Sequence, residues 1–265
     1  PHYSASLAAI IGGGNGENIM PGEVSLAHNG ILFLDEFAQM PKSVTEALRG
    51  PLEDRKVTIS RLRSKVEFPS SFMLVAASNP CPCGYYGIKD KCTCTPAQRL
   101  NYMSRLSGPI MDRIDIQITV RPVPAELLVH RKPGESSAEV ALRVLAARKI
   151  QSARFRDHNI FVNAEMSGEL LRQFCPLDAE CSEIMKKMAA RTGISARAFS
   201  RVLKLSRTIA DLEAGARLIT FWRSILPEVN AATIGPAPFP EGYSEPPILP
   251  KHIFEAFSYR FLDRL

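Results

Sequence analysis

Two consecutive carboxylates, Asp35 and Glu36, close the apolar run ILFL. A short continuous apolar run suits a strand buried on both faces of a parallel sheet. Ligands of open α/β sheets sit at the carboxyl ends of the strands, so the pair stands where a bound molecule would lie. One carboxylate there can hold Mg2+ directly or through water, because this hard ion takes oxygen ligands and keeps waters. The second can orient a water for attack on a phosphoryl group. Four apolar residues followed by Asp-Glu make the Walker B pattern of nucleotide hydrolases. Taken alone, the pair reads equally well as the cap of a following helix.

The neighbours of this pair matter more than the pair itself. SFMLVAAS is a second buried-strand run, and it delivers Asn79 to the same sheet edge. An amide there can polarise an attacking water and touch a terminal phosphate. SGPIMDRID carries Arg113 in a loop, from which an arginine could reach the phosphate of a neighbouring subunit. SARAFSR places Arg197 near the start of a helix that could fold over the same phosphates. Either arginine alone reads as a surface charge, but the four residues in this order form a constellation.

Directly after Asn79 comes CPCGYYGIKDKCTC, with Cys81, Cys83, Cys92 and Cys94 spaced C-x-C-x8-C-x-C. Four thiolates can complete a closed tetrahedral zinc site, which is structural because no position is open to substrate. The usual ribbon spacing is C-x2-C, so the pairs depart from it. Free thiols and redox chemistry are alternatives. Disulfides are disfavoured in a reducing compartment. Cys175 and Cys181 lie far away and read as ordinary buried or half-buried thiols.

The segments KVTIS and KVEFP alternate and flank RLRS, a hairpin signature. From Arg49 to Lys65 there are six basic residues against two acidic ones, and Arg61, Arg63 and Lys65 crowd the turn. Such a tip suits sequence-independent contact with a phosphate backbone. A charged tip that merely keeps the hairpin soluble is the bland alternative. Phe68 and Phe72 read as core. The net charge of +6 leans the same way, toward an anionic partner.

The elements that position these residues follow a simple order. A Gly-rich, loop-like start over 1–30 leads into the ILFL strand, a helix from Pro41, the hairpin, the second strand and a third strand, DRIDIQITV. That order predicts an α/β domain over residues 1–124. From Ser137 the periodicity becomes helical, with Ser136 or Ser137 as N-cap. The expectation for 125–265 is an all-α domain. It is interrupted at about 216–247 by an excursion leading into seven prolines between Pro227 and Pro250, to which the sequence assigns no role. No apolar run is long enough to span a membrane. The start lacks a basic n-region and a long apolar h-region, so it does not read as a secretory signal. It also lacks an initiator Met, so the sequence reads as a fragment or processed chain, cytoplasmic by default.

PGEVSLAHNGILFLDE, LRGPLEDRKVTISR, LVAASNPCPCGYYG, LSGPIMDRID, GESSAEV and SARAFSRVLKLSRTIADLE together resemble the ComM/YifB branch of the magnesium-chelatase-related AAA+ ATPases. The resemblance covers nearly the whole chain outside about 216–247. It implies a partial AAA+ nucleotide-hydrolase core with a parallel sheet, followed by an all-α lid. It implies Asp35 and Glu36 as Walker B, Asp35 holding the magnesium of Mg-ATP. Asn79 becomes sensor 1, Arg113 the arginine finger and Arg197 sensor 2. The basic hairpin and the Gly-rich stretch at 11–22 become elements aimed at a ring's central pore. The implied activity is ATP hydrolysis coupled to DNA remodelling by a hexamer, with single-stranded or branched DNA as partner and no membrane. The rival readings are a metal chelatase motor and a non-enzymatic assembly or regulatory module. No G-x-x-x-x-G-K-[ST] occurs in the sequence, and GGGNGEN lacks the lysine and hydroxyl. The resemblance implies a P-loop N-terminal to this segment, so the chain alone is expected neither to hydrolyse ATP nor to bind it tightly.

Overall fold

The computed structural model describes residues 1–15, 18–60, 65–88, 90–120, 123 and 133–260. They form two compact units, Pro1–Ile114 and Asp115–Leu265. The first is α/β and the second helical, as expected of a partial nucleotide-hydrolase core followed by a helical lid. Among the described residues no helix is long and apolar enough to cross a membrane.

In the first unit, β3 (Ile31–Leu34) and β6 (Met73–Ala76) pair in parallel, with Ile31 opposite Met73 and Leu34 opposite Ala76. Leu32 and Leu34 point into a core that includes Val24, Phe37, Val44, Leu48 and Ile110. Parallel pairing needs a long crossover. Here it holds α3 (Lys42–Ala47), α4 (Arg49–Asp54) and an antiparallel hairpin of β4 (Lys56–Ser60) and β5 (Lys65–Pro69). Val57 and Ile59 of the hairpin enter the core, with Phe68 and Phe72 packed against it. On the hairpin's other face Glu67 accepts from Lys56 and from Thr58, which hold its carboxyl below the ordinary value. The turn residues Arg61 and Arg63 fall outside the described residues, and Lys65 is exposed at the first pair of the ladder.

Two expectations need correction. The Gly-rich start contains a helix, α1 (Leu7–Ile11), and a second hairpin of β1 (Gly12–Asn15) and β2 (Asn18–Pro21). Glycine permits it: Gly12 and Gly14 take positive φ, and a side chain at either would run into backbone. DRIDIQITV is not a strand. Its apolar residues Ile116, Ile118 and Val120 are exposed, and the Gln117 amide donates to Tyr259 rather than to a ladder. β-propensity depends on context and makes a strand only where the segment in fact pairs with a neighbour.

The second unit packs α7 (Ser137–Arg154), α8 (Gly168–Phe174), α9 (Ala179–Thr192), α10 (Ala196–Ile225), α11 (Ala231–Ile234) and α12 (Pro250–Ser258). Ser136, Asp178 and Ser195 cap α7, α9 and α10 by accepting backbone N–H groups. The apolar piece from Ala216 is the last third of α10. The helix runs through Gly215 because α7 lies so close that a Cβ there would meet Ala146 at 3.1 Å. The Pro-rich segment is docked rather than loose. Trp222 Nε1 donates to Pro238 O at 2.7 Å, Lys149 Nζ donates to Gly235 O at 2.6 Å, and Ile234 and Ala237 join the apolar cluster of α7 and α10. Beneath it lies a buried charge network of Arg154, Asp211 and Asn163, closed from the Pro-rich side by Glu245.

Candidate functional site

The parallel pairing of β3 and β6 brings Asp35, Glu36 and Asn79 to one strand edge. Asp35 is exposed and accepts the Glu36 N–H at 2.8 Å. Glu36 lies in the left-handed region, at φ 49° and ψ 41°. For a non-glycine residue this costs on the order of 1 kcal/mol, and such strain clusters at sites where a side chain must be aimed. Gln39 Nε2 donates to Glu36 Oε1 at 3.1 Å and orients it. The loops leaving the two strands are stitched together. Phe37 N–H donates to Ala77 O at 2.9 Å, Ala77 N–H to Leu34 O at 2.9 Å, and Ala38 N–H to Ser78 Oγ at 3.3 Å. Asn79 follows, exposed. An exposed carboxylate at a strand's end fits an Mg2+ ligand, and an oriented carboxylate next to it fits the activation of water.

The other predicted residues are placed differently. Arg113 has a side chain only 9% exposed, and its guanidinium forms an ion pair with Glu53 and donates to Pro109 O at 2.7 Å. Glu53 as its partner was not legible in the sequence, where GPLED reads only as the end of a helix. Arg197 is exposed on the first turn of α10, in the second unit.

Cys81, Cys83, Cys92 and Cys94 converge in the loop between β6 and α5 (Pro96–Met103). Their sulfurs all lie within 4.8 Å of one another, with Cys81–Cys83 at 3.4 Å, Cys83–Cys92 at 3.7 Å and Cys81–Cys92 at 3.9 Å. A disulfide needs about 2.05 Å, so these are separate thiols. Four sulfurs at about 2.3 Å from a central zinc stand about 3.8 Å apart, so the donor set and spacing fit a thiophilic ion. The Tyr85 backbone hydrogen bond is the largest influence drawing Cys83 down to about 6. Cys94 moves the other way, to about 11: a backbone hydrogen bond at Cys83 lowers it, and burial and the neighbouring sulfurs more than offset that. One thiolate close to three thiols suppresses the next ionisation, which is where a divalent cation would compensate. Among the described residues this is the one close group of three or more His, Cys, Asp or Glu side chains. Cys175 and Cys181 are buried in the second unit, and burial pushes both up to about 11.

Comparison with known proteins places this geometry. The family described as magnesium chelatase, subunit ChlI, matches residues 1–128, and its C-terminal family matches residues 134–220. The chain belongs to the magnesium chelatase ChlI-related family. Within this family it fits the ComM/YifB group. It is 40% identical to the uncharacterized protein YifB of Escherichia coli strain K12, over 100% of this chain and 45% of that protein. It is 44% identical to the competence protein ComM of Haemophilus influenzae, over 80% of this chain and 41% of that protein. A more distant match is the DNA replication licensing factor mcm-6 of Caenorhabditis briggsae, 22% identical over 76% of this chain and 25% of that protein. The chain thus spans less than half the length of its ComM/YifB relatives.

Proposed function

We propose that this chain is part of an AAA+ ATPase of the ComM/YifB type, a ring-forming motor, hexameric, that remodels single-stranded or branched DNA in the cytoplasm. One observation carries the reading: Asp35, Glu36 and Asn79 share the carboxyl edge of a parallel strand pair. In this reading Asp35 holds the magnesium of Mg-ATP, Glu36 takes the proton of the attacking water, and Asn79 polarises that water. Arg113 acts on the phosphate of a neighbouring subunit and must leave Glu53 to do so. Arg197 approaches the nucleotide from the lid. Cys81, Cys83, Cys92 and Cys94 hold a structural zinc. DNA is supported by the basic hairpin, whose second strand starts at Lys65, and by the similarity to mcm-6, a DNA replication licensing factor.

The sequence has no P-loop motif, so ATP turnover belongs to the full-length protein and not to this chain alone. The test is Glu36→Gln in the full-length protein. Nucleotide binding is retained, while hydrolysis falls about a hundredfold or more, since the base that activates water is lost. Unchanged hydrolysis removes the catalytic assignment and favours an assembly or regulatory module. The chelatase description of the matching family supports a second reading, a motor for metal insertion. Unwinding of forked DNA against metallation of a porphyrin, by the same preparation, separates the two.

A further inference from the structure

The loop over 80–95 contains no helix or strand among its described residues, yet it connects the end of the sensor strand to a firmly capped helix. Turns order its backbone: Gly84 N–H donates to Cys81 O at 3.0 Å, and Ile88 N–H donates to Tyr85 O at 3.0 Å. Gly84 and Gly87 both have positive φ. Thiols are weak hydrogen-bonding groups, so four of them facing inward do not by themselves hold such a loop. Cys81 is fully buried, two residues after Asn79. The turn it begins folds back so that a Cβ built on Gly84 would stand 3.9 Å from both Cγ and Oδ1 of Asn79. The far end is anchored as well: Arg99 Nη1 donates to Cys94 O at 2.7 Å, with its guanidinium 4.7 Å from the Tyr86 ring centroid, and Thr95 and Gln98 form a capping box.

We propose that the four-thiol metal site is the positioning element of Asn79. With zinc bound, the Cys81–Gly84 turn is pinned against the Asn79 side chain and holds its amide at the sheet edge. Asn79 is tied on its other side through Ala77 and Ser78 to the strand carrying Asp35. Asn79 is therefore held through its backbone by the strand pair, and its amide lies against the metal loop. Losing the metal frees that loop. The inference rests on the reading of this edge as an ATPase site, and it makes the zinc a controller of turnover rather than of nucleotide binding.

The first test needs no activity. The chain is stripped of metal with a chelator under reducing conditions and reloaded with zinc or cobalt(II). One equivalent of cobalt with the strong visible bands of a tetrahedral thiolate site is expected, and they are lost in Cys92→Ser plus Cys94→Ser. Amide hydrogen exchange over 77–84 should rise about tenfold or more in the stripped chain, with 31–34 unchanged. Failure to retain a stoichiometric metal, or equal exchange with and without it, overturns the proposal. The second test uses the full-length protein. Gly84→Ala keeps every thiol but strains a residue at φ +80°, and it should keep the cobalt spectrum while lowering kcat about tenfold with KM for ATP unchanged. Its effect should not add to that of Asn79→Ala. Unchanged kcat, or simple additivity, overturns the coupling. An inactive wild type overturns the ATPase reading alone, because the exchange measurement decides the positioning by itself.

Discussion

Arg154 and Asp211 face each other across α7 and α10 in a two-pronged ion pair, 2.6 Å and 2.8 Å long, with both side chains closed to solvent. Burial opposes the Arg154 charge, but Asp211 and then Glu245 outweigh it and hold the guanidinium ionised. Asp211 also accepts from Asn163 and pairs with Arg207 at 3.2 Å. Removing Asp211 leaves Arg154 with Glu245 at the rim as its counter-charge and takes the ion pair from buried Arg207. Asp211→Asn is therefore expected to lower unfolding free energy by about 3–5 kcal/mol. Denaturant melts of the chain check it, and Glu245→Gln, at the half-exposed rim, should cost far less.

Gly215 meets α7 at van der Waals contact or closer, 3.1 Å from Ala146 Cβ and Ala147 N for an added Cβ. Alanine gains about 1 kcal/mol of helix propensity over glycine. Overpacking a tight crossing costs about 1–3 kcal/mol. Gly215→Ala should thus be net destabilising, and Ala146→Gly in the same chain should recover part of the loss. A double-mutant cycle on thermal stability reads the coupling.

Glu213 accepts from His252 and from Lys251, and these two, His252 first, hold its carboxyl at about 2 against an ordinary 4.5. A carboxylate whose folded pKa is depressed contributes stability above its unfolded value and loses it as the pH falls through the folded one. The stability difference between wild type and Glu213→Gln should therefore be full above about pH 4.5 and shrink toward pH 2. Melts across that window measure it; a difference independent of pH would rule the pair out as a contributor.

The hairpin tip gives a prediction about DNA. Arg61→Ala plus Arg63→Ala in the full-length protein should weaken DNA affinity uniformly across sequences. The slope of log K against log salt should fall by between about 1 and 2, the loss expected for two phosphate contacts. Equal affinity and slope would move the contact elsewhere.

Much of the site was legible because its chemistry is carried by neighbours in the chain. ILFL followed by Asp35 and Glu36, Asn79 after SFMLVAAS, and the Cys-x-Cys pairs are each local patterns. Local patterns follow from side-chain type and strand or turn period. The cap at Ser136 was legible for the same reason: it satisfies its own helix's first turn. What failed was what depends on a distant partner: DRIDIQITV has strand propensity, but among the described residues it pairs with no strand.

The sequence by itself thus named the candidates for chemistry: two adjacent acids, an amide, two arginines, four thiols and a basic turn. The tertiary structure alone decided how they are grouped. Parallel pairing joined Asp35, Glu36 and Asn79, the fold gave Arg113 to Glu53, and the Gly84 turn was laid on Asn79. It also converted the Pro-rich segment into a docked strap and buried Arg154 with Asp211. The reason is physical. Identity and local period are fixed by covalent order, whereas distances between residues far apart in sequence are set only when burial and hydrogen bonding repay the chain entropy of bringing them together.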